Sequence, residues 1–351
     1  MKRVAVGVGL FALALGAFVV FYILVPAGFF KTIHPHFSGT KLSIELPIPG
    51  PEDIFLDRET NQLIISVEDR RKNLLNPGSS RGGLYALDMA TLQLTELTTQ
   101  ALPDFHSHGI SFWRTDSGQK FLFVINHLSE QRHVVERFEW KADSLIHLES
   151  IQDSTLMTHP NDLVAVGERS FYVTNDHYYL KGFNRTLEEY LQRKVSYVNY
   201  YDGAGFKVVA RDIGYANGIN TSPDGETVFV SSTTGFSILV YAKNSDGSLQ
   251  QTDEIKLDTA PDNIDLDEQG NLLIACHPQV LKFVSHAKDA KSLSPSQVLK
   301  IKYRGVGDHS IEEIFLNDGD YSASSTAILS KDQLIIGSVF EKSILLCTLE
   351  N

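Results

Sequence analysis

Short runs in which apolar and polar residues alternate recur along the chain after its first thirty residues. Six segments share one order: one or two polar residues, an alternating apolar triplet, a turn, and a second apolar run. They begin at Pro51, Ser107, His159, Tyr215, Ala260 and Ser322. In the fourth segment, the turn sequence SPDG at 222–225 is followed by the alternating run TVFV, a combination typical of a strand that follows a tight turn. The pattern therefore predicts a repeated pair of strands.

The spacing of these segments indicates a repeat architecture. They recur at intervals of 45 to 62 residues, and a fixed period of this size changes the fold that should be expected. Further short apolar runs lie between them, for example at 83–87, 134–140 and 237–242. Six units of four strands with almost no helix predict an all-β fold, a six-bladed β-propeller.

The first thirty residues have a different pattern. Residues 4–30 form a run of 27 residues without a charge after Lys2 and Arg3, long enough to cross a hydrocarbon core of about 30 Å as a helix. The basic residues favour the cytoplasmic side. We expect a transmembrane signal anchor at 1–31, a linker at 32–41 and an extracytoplasmic (periplasmic or extracellular) propeller at 42–351. A cleaved signal peptide is the alternative, and it would make the protein secreted.

Composition and charge narrow the function further. The chain has 351 residues, of which 42% are hydrophobic and 21% charged, which suits a folded domain with a large core. Its 43 acidic and 31 basic residues give a formal charge of -12. Such a protein has few basic side chains that could replace the counterions of a nucleic-acid phosphate backbone. We therefore expect no nucleic-acid partner. The two cysteines, Cys276 and Cys347, are either a disulfide or two buried thiols.

The predicted propeller brings distant polar residues together. The first strand of each blade lines the central tunnel, so the polar residues at its start should face the axis. These residues are Glu52, Asp53, His108, Asn161, Asp162, Asn217, Asp262, Asn263 and either Ser325 or Thr326.

Most of these residues carry hard oxygen donors. Glu52, Asn161, Asn217, Asp262 and Asn263 suit Ca²⁺, which takes six to eight oxygen ligands. Zinc is disfavoured because His and Cys do not dominate the set. Asp53 and Asp162, together with a backbone carbonyl, are suited to a second, structural calcium ion. In the alternative interpretation, the axial residues only hydrogen-bond water in the tunnel.

The order of several short motifs resembles the serum paraoxonase/arylesterase family of calcium-dependent lactonases and esterases. The motifs are HGIS, VINH, NDLVAVG, TNDHYY, ANGINTSPDG, DNI and CHP, and the resemblance extends from about Leu42 to Leu349. It implies a six-bladed propeller with two axial calcium ions, one catalytic and one structural. By matching motifs, the catalytic ion would be bound by Glu52, Asn161, Asn217, Asp262 and Asn263. The structural ion would be bound by Asp53, Asp162 and the carbonyl of Ile110.

The resemblance also implies a pair of catalytic histidines. His108 and His127 match the family's histidine dyad, in which the first acts as general base on water. A neutral imidazole suits this task because its ordinary pKa is about 6.5. The weaker candidate His277 would belong to the pocket wall. The expected function is the calcium-dependent hydrolysis of small lactones and aryl esters. A non-catalytic propeller that binds a ligand or protein, or a sugar-lactonase-like enzyme, is the alternative.

Two departures from the family and one inserted segment affect these expectations. Family members commonly have a disulfide from near the start of the propeller to its last strand, but Cys347 has no such partner here. Ring closure should then depend on strand pairing alone. The tyrosine that some members have after the first strand pair has no clear match in the segment RRKNLLNPGSS. A helical stripe in residues 184–201 predicts a helix, either above the active site or against a blade edge.

Overall fold

The alternating segments form six four-stranded antiparallel sheets in the computed structural model, which describes residues 2–97, 102, 104–141 and 144–349. The predicted all-β, six-bladed propeller is confirmed. Five of the blades follow the chain in order, with the innermost strand first. Blade 1 contains β2 to β5, after the earlier strand β1 (Gly39–Glu45), and its strands are Pro51–Asp57, Gln62–Val67, Gly83–Asp88 and Leu94–Leu97. Blade 2 contains β6 to β9, with bounds Ser107–Arg114, Lys120–Ser129, Arg132–Lys141 and Ser144–Ile151.

The remaining blades have the same plan. Blade 3 contains β10 to β13, with bounds Pro160–Ala165, Phe171–Asn175, Ser196–Tyr201 and Phe206–Ile213. Blade 4 contains β14 to β17, with bounds Ala216–Thr221, Thr227–Ser232, Ser237–Lys243 and Leu249–Lys256. Blade 5 contains β18 to β21, with bounds Ala260–Leu266, Leu272–His277, Gln297–Gly305 and Asp308–Leu316. Blade 6 contains β22 to β24, with bounds Ser324–Ser330, Gln333–Ser338 and Ser343–Leu349.

The N-terminal strand completes the last blade. β1 pairs antiparallel with β24, from Gly39 opposite Leu349 to Glu45 opposite Ser343, and so becomes the outermost strand of blade 6. Cys276 and Cys347 are both free and buried, which corresponds to the alternative of two buried thiols. The ring is therefore closed by main-chain pairing between the two ends of the propeller.

The hydrophobic core lies between neighbouring blades. Ile54 and Ile65 of blade 1, for example, pack in one cluster with Ile328 and Ile335 of blade 6. Such contacts form because each sheet has two apolar faces, and stacking the blades removes both faces from water.

Three short helices lie in the loops between the second and third strands of blades 1, 3 and 5. They are α2 (Arg70–Leu75), α3 (Phe183–Tyr190) and α4 (Val280–Lys288). Because neighbouring strands are antiparallel, these loops open on the same side as the beginnings of the innermost strands. The helix expected at 184–201 covers only the first half of that range, since 196–201 forms β12 and pairs on both sides.

The predicted membrane segment is helical in its first part. It contains α1 (Lys2–Phe18), followed by a short π-helix at Val19–Leu24 and then turns. Within the described ranges, no helix is both long enough and apolar enough to cross a membrane.

Candidate active site

A β-bulge interrupts the innermost strand of every blade where the predicted axial residues lie. The pairing register shifts between Pro51 and Asp53, Ser107 and Ile110, Pro160 and Leu163, Ala216 and Ile219, Pro261 and Ile264, and Ser324 and Thr326. In a regular strand, consecutive side chains point to opposite faces, whereas a bulge redirects them. The bulges thus allow pairs such as Asp262 and Asn263 to be buried together near the axis.

The predicted metal-binding residues converge on the axis. Asn263 Nδ2 donates to Glu52 Oε1 at 3.1 Å, which joins blades 5 and 1. The charge of Glu52 also acts on three other carboxyls, which belong to Asp53, Asp162 and Asp262. All four carboxyls are at least 94% buried. This concentration of buried carboxyl groups suits a cation.

The three asparagine side chains are held in one orientation relative to the axis. Each amide nitrogen donates to a neighbouring oxygen: Asn161 to Asp176 at 3.2 Å, Asn217 to Thr233 at 3.1 Å, and Asn263 to Glu52 at 3.1 Å. Because the nitrogens are occupied in this way, the amide oxygens remain available for a ligand.

Four buried oxygens of the predicted calcium set have no hydrogen-bond partner. They are Oε2 of Glu52 and Oδ1 of Asn161, Asn217 and Asn263. A buried polar atom without a partner costs about 1–3 kcal/mol, so four of them in one set call for a ligand. Oxygen atoms of this type are what Ca²⁺ binds. The residues present therefore fit the predicted ion.

Local interactions set the charge of the two acidic members of this set. Burial acts to raise the pKa of Glu52, but His108, Arg70 and Asn263 outweigh it, so that the pKa is lowered. Burial raises the pKa of Asp262, although His277 Nε2 lies 2.9 Å from Asp262 Oδ2 and acts in the opposite direction. His277, expected in the pocket wall, thus contacts a candidate ligand directly.

The two residues predicted for the structural ion connect neighbouring blades through the backbone. Asp53 Oδ2 accepts from the Ile110 N–H at 2.7 Å, and Asp162 Oδ2 accepts from the Ile219 N–H at 2.8 Å. Burial, followed for Asp53 by the charge of Asp162, holds the pKa of each carboxyl well above its usual range. Ile110 thus lies beside Asp53, with its N–H rather than its carbonyl directed at the carboxylate.

Within the described part of the chain, no group of three or more His, Cys, Asp or Glu side chains could hold a metal ion by itself. The predicted catalytic set differs from such a group because three of its five members are asparagines.

The predicted histidine pair lies at the edge of this set. His108 Nδ1 is 2.8 Å from His127 Nε2, and His108 Nε2 is 3.4 Å from Glu52 Oε2. One ring nitrogen of His108 therefore contacts a second imidazole, and the other ring nitrogen lies next to a candidate calcium ligand. Burial, followed by the charge of His108, holds the pKa of His127 well below its usual value. His127 is thus neutral at pH 7.

Several residues of the site were not identified from the sequence. Arg70, the first residue of α2, lies with Nη2 3.6 Å from Glu52 Oε2 and donates to the carbonyls of Gly50 and Ser107. It comes from the segment in which the family tyrosine has no match. Asp176 and Thr233 were also missed, although each follows the second strand of its blade and so ends beside the axis.

His133 is the other missed residue. Its Nδ1 is 2.7 Å from His127 Nδ1, and the two residues are opposite each other in the hairpin of β7 and β8. The turn sequence HLSEQRH indicates a hairpin, but the register that places the two histidines opposite each other is defined only by the folded sheet.

Comparisons with known proteins show the family of the chain. A model of the arylesterase family matches residues 75–349. Human serum paraoxonase/arylesterase 1 is 36% identical over 244 residues, which cover 68% of each chain. Human serum paraoxonase/arylesterase 2 is 31% identical over 306 residues, which cover 86% of this chain and 80% of the relative.

Solved structures with low sequence identity share the fold. A luciferin-regenerating enzyme has a TM-score of 0.56 at 13% identity and covers 89% of this chain and 95% of its own. A regucalcin from Agrobacterium tumefaciens has a TM-score of 0.55 at 12% identity and covers 91% of this chain and 96% of its own. These structures show similarity of fold alone, whereas the family model and the curated relatives are also similar to the chain in sequence. The chain therefore belongs to the serum paraoxonase/arylesterase family.

Proposed function

We propose that this protein is a calcium-dependent hydrolase of lactones and aryl esters. The observation that carries the proposal is the set of four buried oxygens without hydrogen-bond partners beside His108, whose Nε2 lies 3.4 Å from Glu52 Oε2. Membership of the arylesterase family and the names of the curated relatives support ester hydrolysis. A propeller that only binds a ligand would need neither this oxygen set nor a histidine pair beside it.

Two ions are proposed, as the sequence predicts. The catalytic ion would be held by Glu52, Asn161, Asn217, Asp262 and Asn263. The structural ion would be held by Asp53, Asp162 and the Ile110 carbonyl. The raised pKa of both aspartates supports a cation there, because burial and mutual repulsion disfavour two bare carboxylates.

The chemistry follows from the residues around His108. When calcium is held by these ligands, the site would supply Lewis-acid polarisation of the ester carbonyl. His108 Nε2 takes a proton from the attacking water, and the same nitrogen returns it to the departing alcohol oxygen. This role requires the tautomer in which His127 Nε2 accepts from His108 Nδ1–H, because His108 Nε2 is then unprotonated. Arg70, 3.6 Å from Glu52, holds that carboxylate in its charged form.

We also propose that the N-terminal segment anchors the protein in a membrane, with the propeller outside the cytoplasm. Leu10, Phe11 and Leu13 of α1 are 63%, 71% and 73% exposed, which supports an apolar environment around the helix. Labelling intact cells with a membrane-impermeant reagent tests this. Modification of the propeller is expected, and complete protection until lysis would contradict the orientation.

The catalytic proposal is tested with the purified full-length protein. Initial rates for one lactone and one aryl ester are measured with calcium and with excess EGTA, together with the melting temperature. We expect chelation to abolish hydrolysis and to lower the melting temperature, since an ion bound only by the folded state stabilises it. The His108→Gln variant should keep its calcium but lose about 10²- to 10⁴-fold in kcat. Unchanged rates in EGTA, or normal turnover of the variant, would refute the proposal.

A further inference from the structure

A fixed positive charge lies beside the candidate calcium set. Arg70 Nη2 is 3.6 Å from Glu52 Oε2, and the two side chains are 15% and 4% exposed. Among the described residues, Arg70 is the only lysine or arginine that forms an ion pair with a predicted calcium ligand. The distance is longer than that of a hydrogen bond. Arg70 therefore acts on Glu52 Oε2 through its charge and leaves this oxygen without a hydrogen-bond partner.

Main-chain contacts hold the guanidinium in this place. Arg70 Nη1 donates to the Gly50 carbonyl at 3.0 Å, and Nη2 donates to the Ser107 carbonyl at 3.0 Å. Gly50 precedes the innermost strand of blade 1, and Ser107 begins that of blade 2. Because both acceptors belong to the backbone, they keep the guanidinium beside Glu52 when side chains of the site move.

The next residue attaches the helix that carries Arg70. α2 buries none of its side chains, so it has no apolar face packed on the propeller. Arg71 donates to the His286 carbonyl of α4 through Nε at 3.3 Å and through Nη2 at 3.0 Å, and its guanidinium lies 4.9 Å from the centre of the Phe340 ring. This attachment does not involve the Arg70 side chain. Replacing that side chain should therefore leave α2 in place.

A fixed cation next to a calcium ligand has two opposite effects. Before calcium binds, Arg70 compensates part of the charge of Glu52 and repels an incoming cation. Once calcium is held, Glu52 and Asp262 balance its two charges, because the three asparagines of the set are neutral. Arg70 then adds one surplus positive charge, which favours the negative charge that develops on the ester oxygen during hydrolysis.

We propose that Arg70 tunes the candidate catalytic site, because its charge weakens calcium binding and raises the rate of hydrolysis in the loaded site. The inference rests on the proposed calcium-dependent function. A residue that only supported the shape of the site would act differently, since its loss would weaken calcium binding. The direction of the change in calcium affinity therefore separates the two roles without a measurement of activity.

The first test measures the calcium affinity of the full-length protein at pH 8 by competition with a calcium-sensitive chelator. This pH is far above the ordinary glutamate pKa of about 4.3, so Glu52 stays ionised in every variant. We expect Arg70→Gln and Arg70→Met to bind one calcium ion at least about 10-fold more tightly than the wild type, since like charges a few ångströms apart repel by more than that factor. Arg70→Lys keeps the charge and should bind much as the wild type does.

Arg58→Gln is the matched control, because it removes the same charge at the other end of β2. Arg58 follows the last residue of that strand and donates to the Leu266 carbonyl at 3.0 Å. The length of the strand places it about 20 Å from Glu52, a distance at which salt screens most of the interaction. Equal tightening in Arg58→Gln and Arg70→Gln would overturn the inference. Unchanged or weaker binding by both neutral Arg70 variants, or failure of both to fold, would do so too, because Arg70 would then be structural.

Turnover at saturating calcium tests the second effect of the charge. We expect Arg70→Gln to lower kcat about 10-fold for both a lactone and an aryl ester, and Arg70→Lys to retain most of the wild-type kcat. Tighter calcium binding with an unchanged kcat would overturn the proposal, because the charge would then have no influence on the reaction. Absence of calcium binding by the wild type would instead refute the proposed function, an outcome that the Arg70 variants cannot produce.

Discussion

Thr233 illustrates how single residues outside the candidate ligand set control it. Its Oγ1 accepts from Asn217 Nδ2 at 3.1 Å and donates to the Pro261 carbonyl at 2.7 Å. The hydroxyl therefore fixes the Asn217 amide with its oxygen free, and it connects blade 4 to blade 5 beside the candidate ligand Asp262. Partners of this kind orient metal ligands, and losing one typically costs about 10- to 100-fold in affinity or activity.

Replacing this hydroxyl should weaken calcium binding without removing a ligand. Thr233→Val keeps the shape but not the hydrogen bonds, so we expect about 10- to 100-fold weaker calcium binding. Excess calcium should then restore most of the hydrolysis. Thr233→Ser, which keeps the hydroxyl, is the matched control and should bind nearly as the wild type does. Titration against a calcium-sensitive chelator measures both variants, and equal affinities of Val and Ser variants would exclude the orienting role.

At the scale of the strand, the bulges position the site and require close packing between innermost strands. Gly218 follows Asn217 in the bulge of β14, and a Cβ atom there would lie 2.5 Å from Asn263 Cα and 2.6 Å from the Asp262 carbonyl oxygen. Both obstacles are main-chain atoms of blade 5. A side chain at 218 would therefore push apart the two strands that carry Asn217, Asp262 and Asn263.

The glycine can be tested against another glycine with no such neighbour. We expect Gly218→Ala to destabilise the protein by about 1–3 kcal/mol through overpacking, and to weaken calcium binding because the ligands move apart. Gly205→Ala is the control, since a Cβ at 205 would meet no atom within 4 Å. Melting temperature and calcium affinity are measured for both. If Gly218→Ala has the same melting temperature and calcium affinity as Gly205→Ala, the innermost strands of blades 4 and 5 are not packed as closely as the structure indicates.

The sequence predicted the strands well because alternation is a local signal, and the blade count followed from its recurrence. It also placed Glu52, Asn161 and Asn217 at the axis, since each begins an innermost strand. The bulges were not predictable, because a shift of one residue depends on the pairing partner and leaves no periodic trace. His133 was missed for a related reason. Its contact with His127 depends on a hairpin register that only the folded sheet defines.

Helix α3 shows that a local helical pattern can predict more helix than the folded protein contains. The sequence pattern predicts a helix over residues 184–201, but the helix ends at Tyr190. Residues 196–201 instead form a strand that pairs with β11 and β13 in the middle of blade 3. Strand pairing on two sides outweighs helix propensity there. Glu188 of α3 accepts from the N–H groups of Tyr178 and Tyr179, which fastens the helix to the loop after β11.

For the whole molecule, two features hold the ring of blades together, one at the outer edge of blade 6 and one at the inner edges of the blades. Pairing of β1 with β24 closes the outside of blade 6. Inside the tunnel, Asp53 and Asp162 accept hydrogen bonds from backbone N–H groups of the next blade and so join neighbouring blades. Without a cation, ionisation of the carboxyls inside the tunnel destabilises the fold, because Asp53, Asp162 and Asp262 are buried and their pKa values are raised. The stability of the whole propeller should therefore depend on calcium and pH together.

The sign of this dependence follows from the three aspartates. Between their ordinary pKa of about 4 and the raised values, the cation-free folded protein binds more protons than the unfolded chain. These groups then stabilise the cation-free fold at the acid end of that window, and the contribution is lost as pH rises. Calcium displaces these protons, so its stabilising effect should be largest near pH 8 and smaller near pH 5.

Melting temperatures at pH 5, 6, 7 and 8 test this linkage in the full-length protein with and without calcium. The calcium-free samples are prepared on a chelating resin, because the affinity of EGTA itself falls with pH. At a free calcium concentration of 100 times Kd, the stabilisation is about 2.7 kcal/mol, and it should decrease steadily as the pH falls. A calcium-dependent shift of equal size at pH 5 and pH 8 would mean that the buried aspartates do not take part in binding the ion.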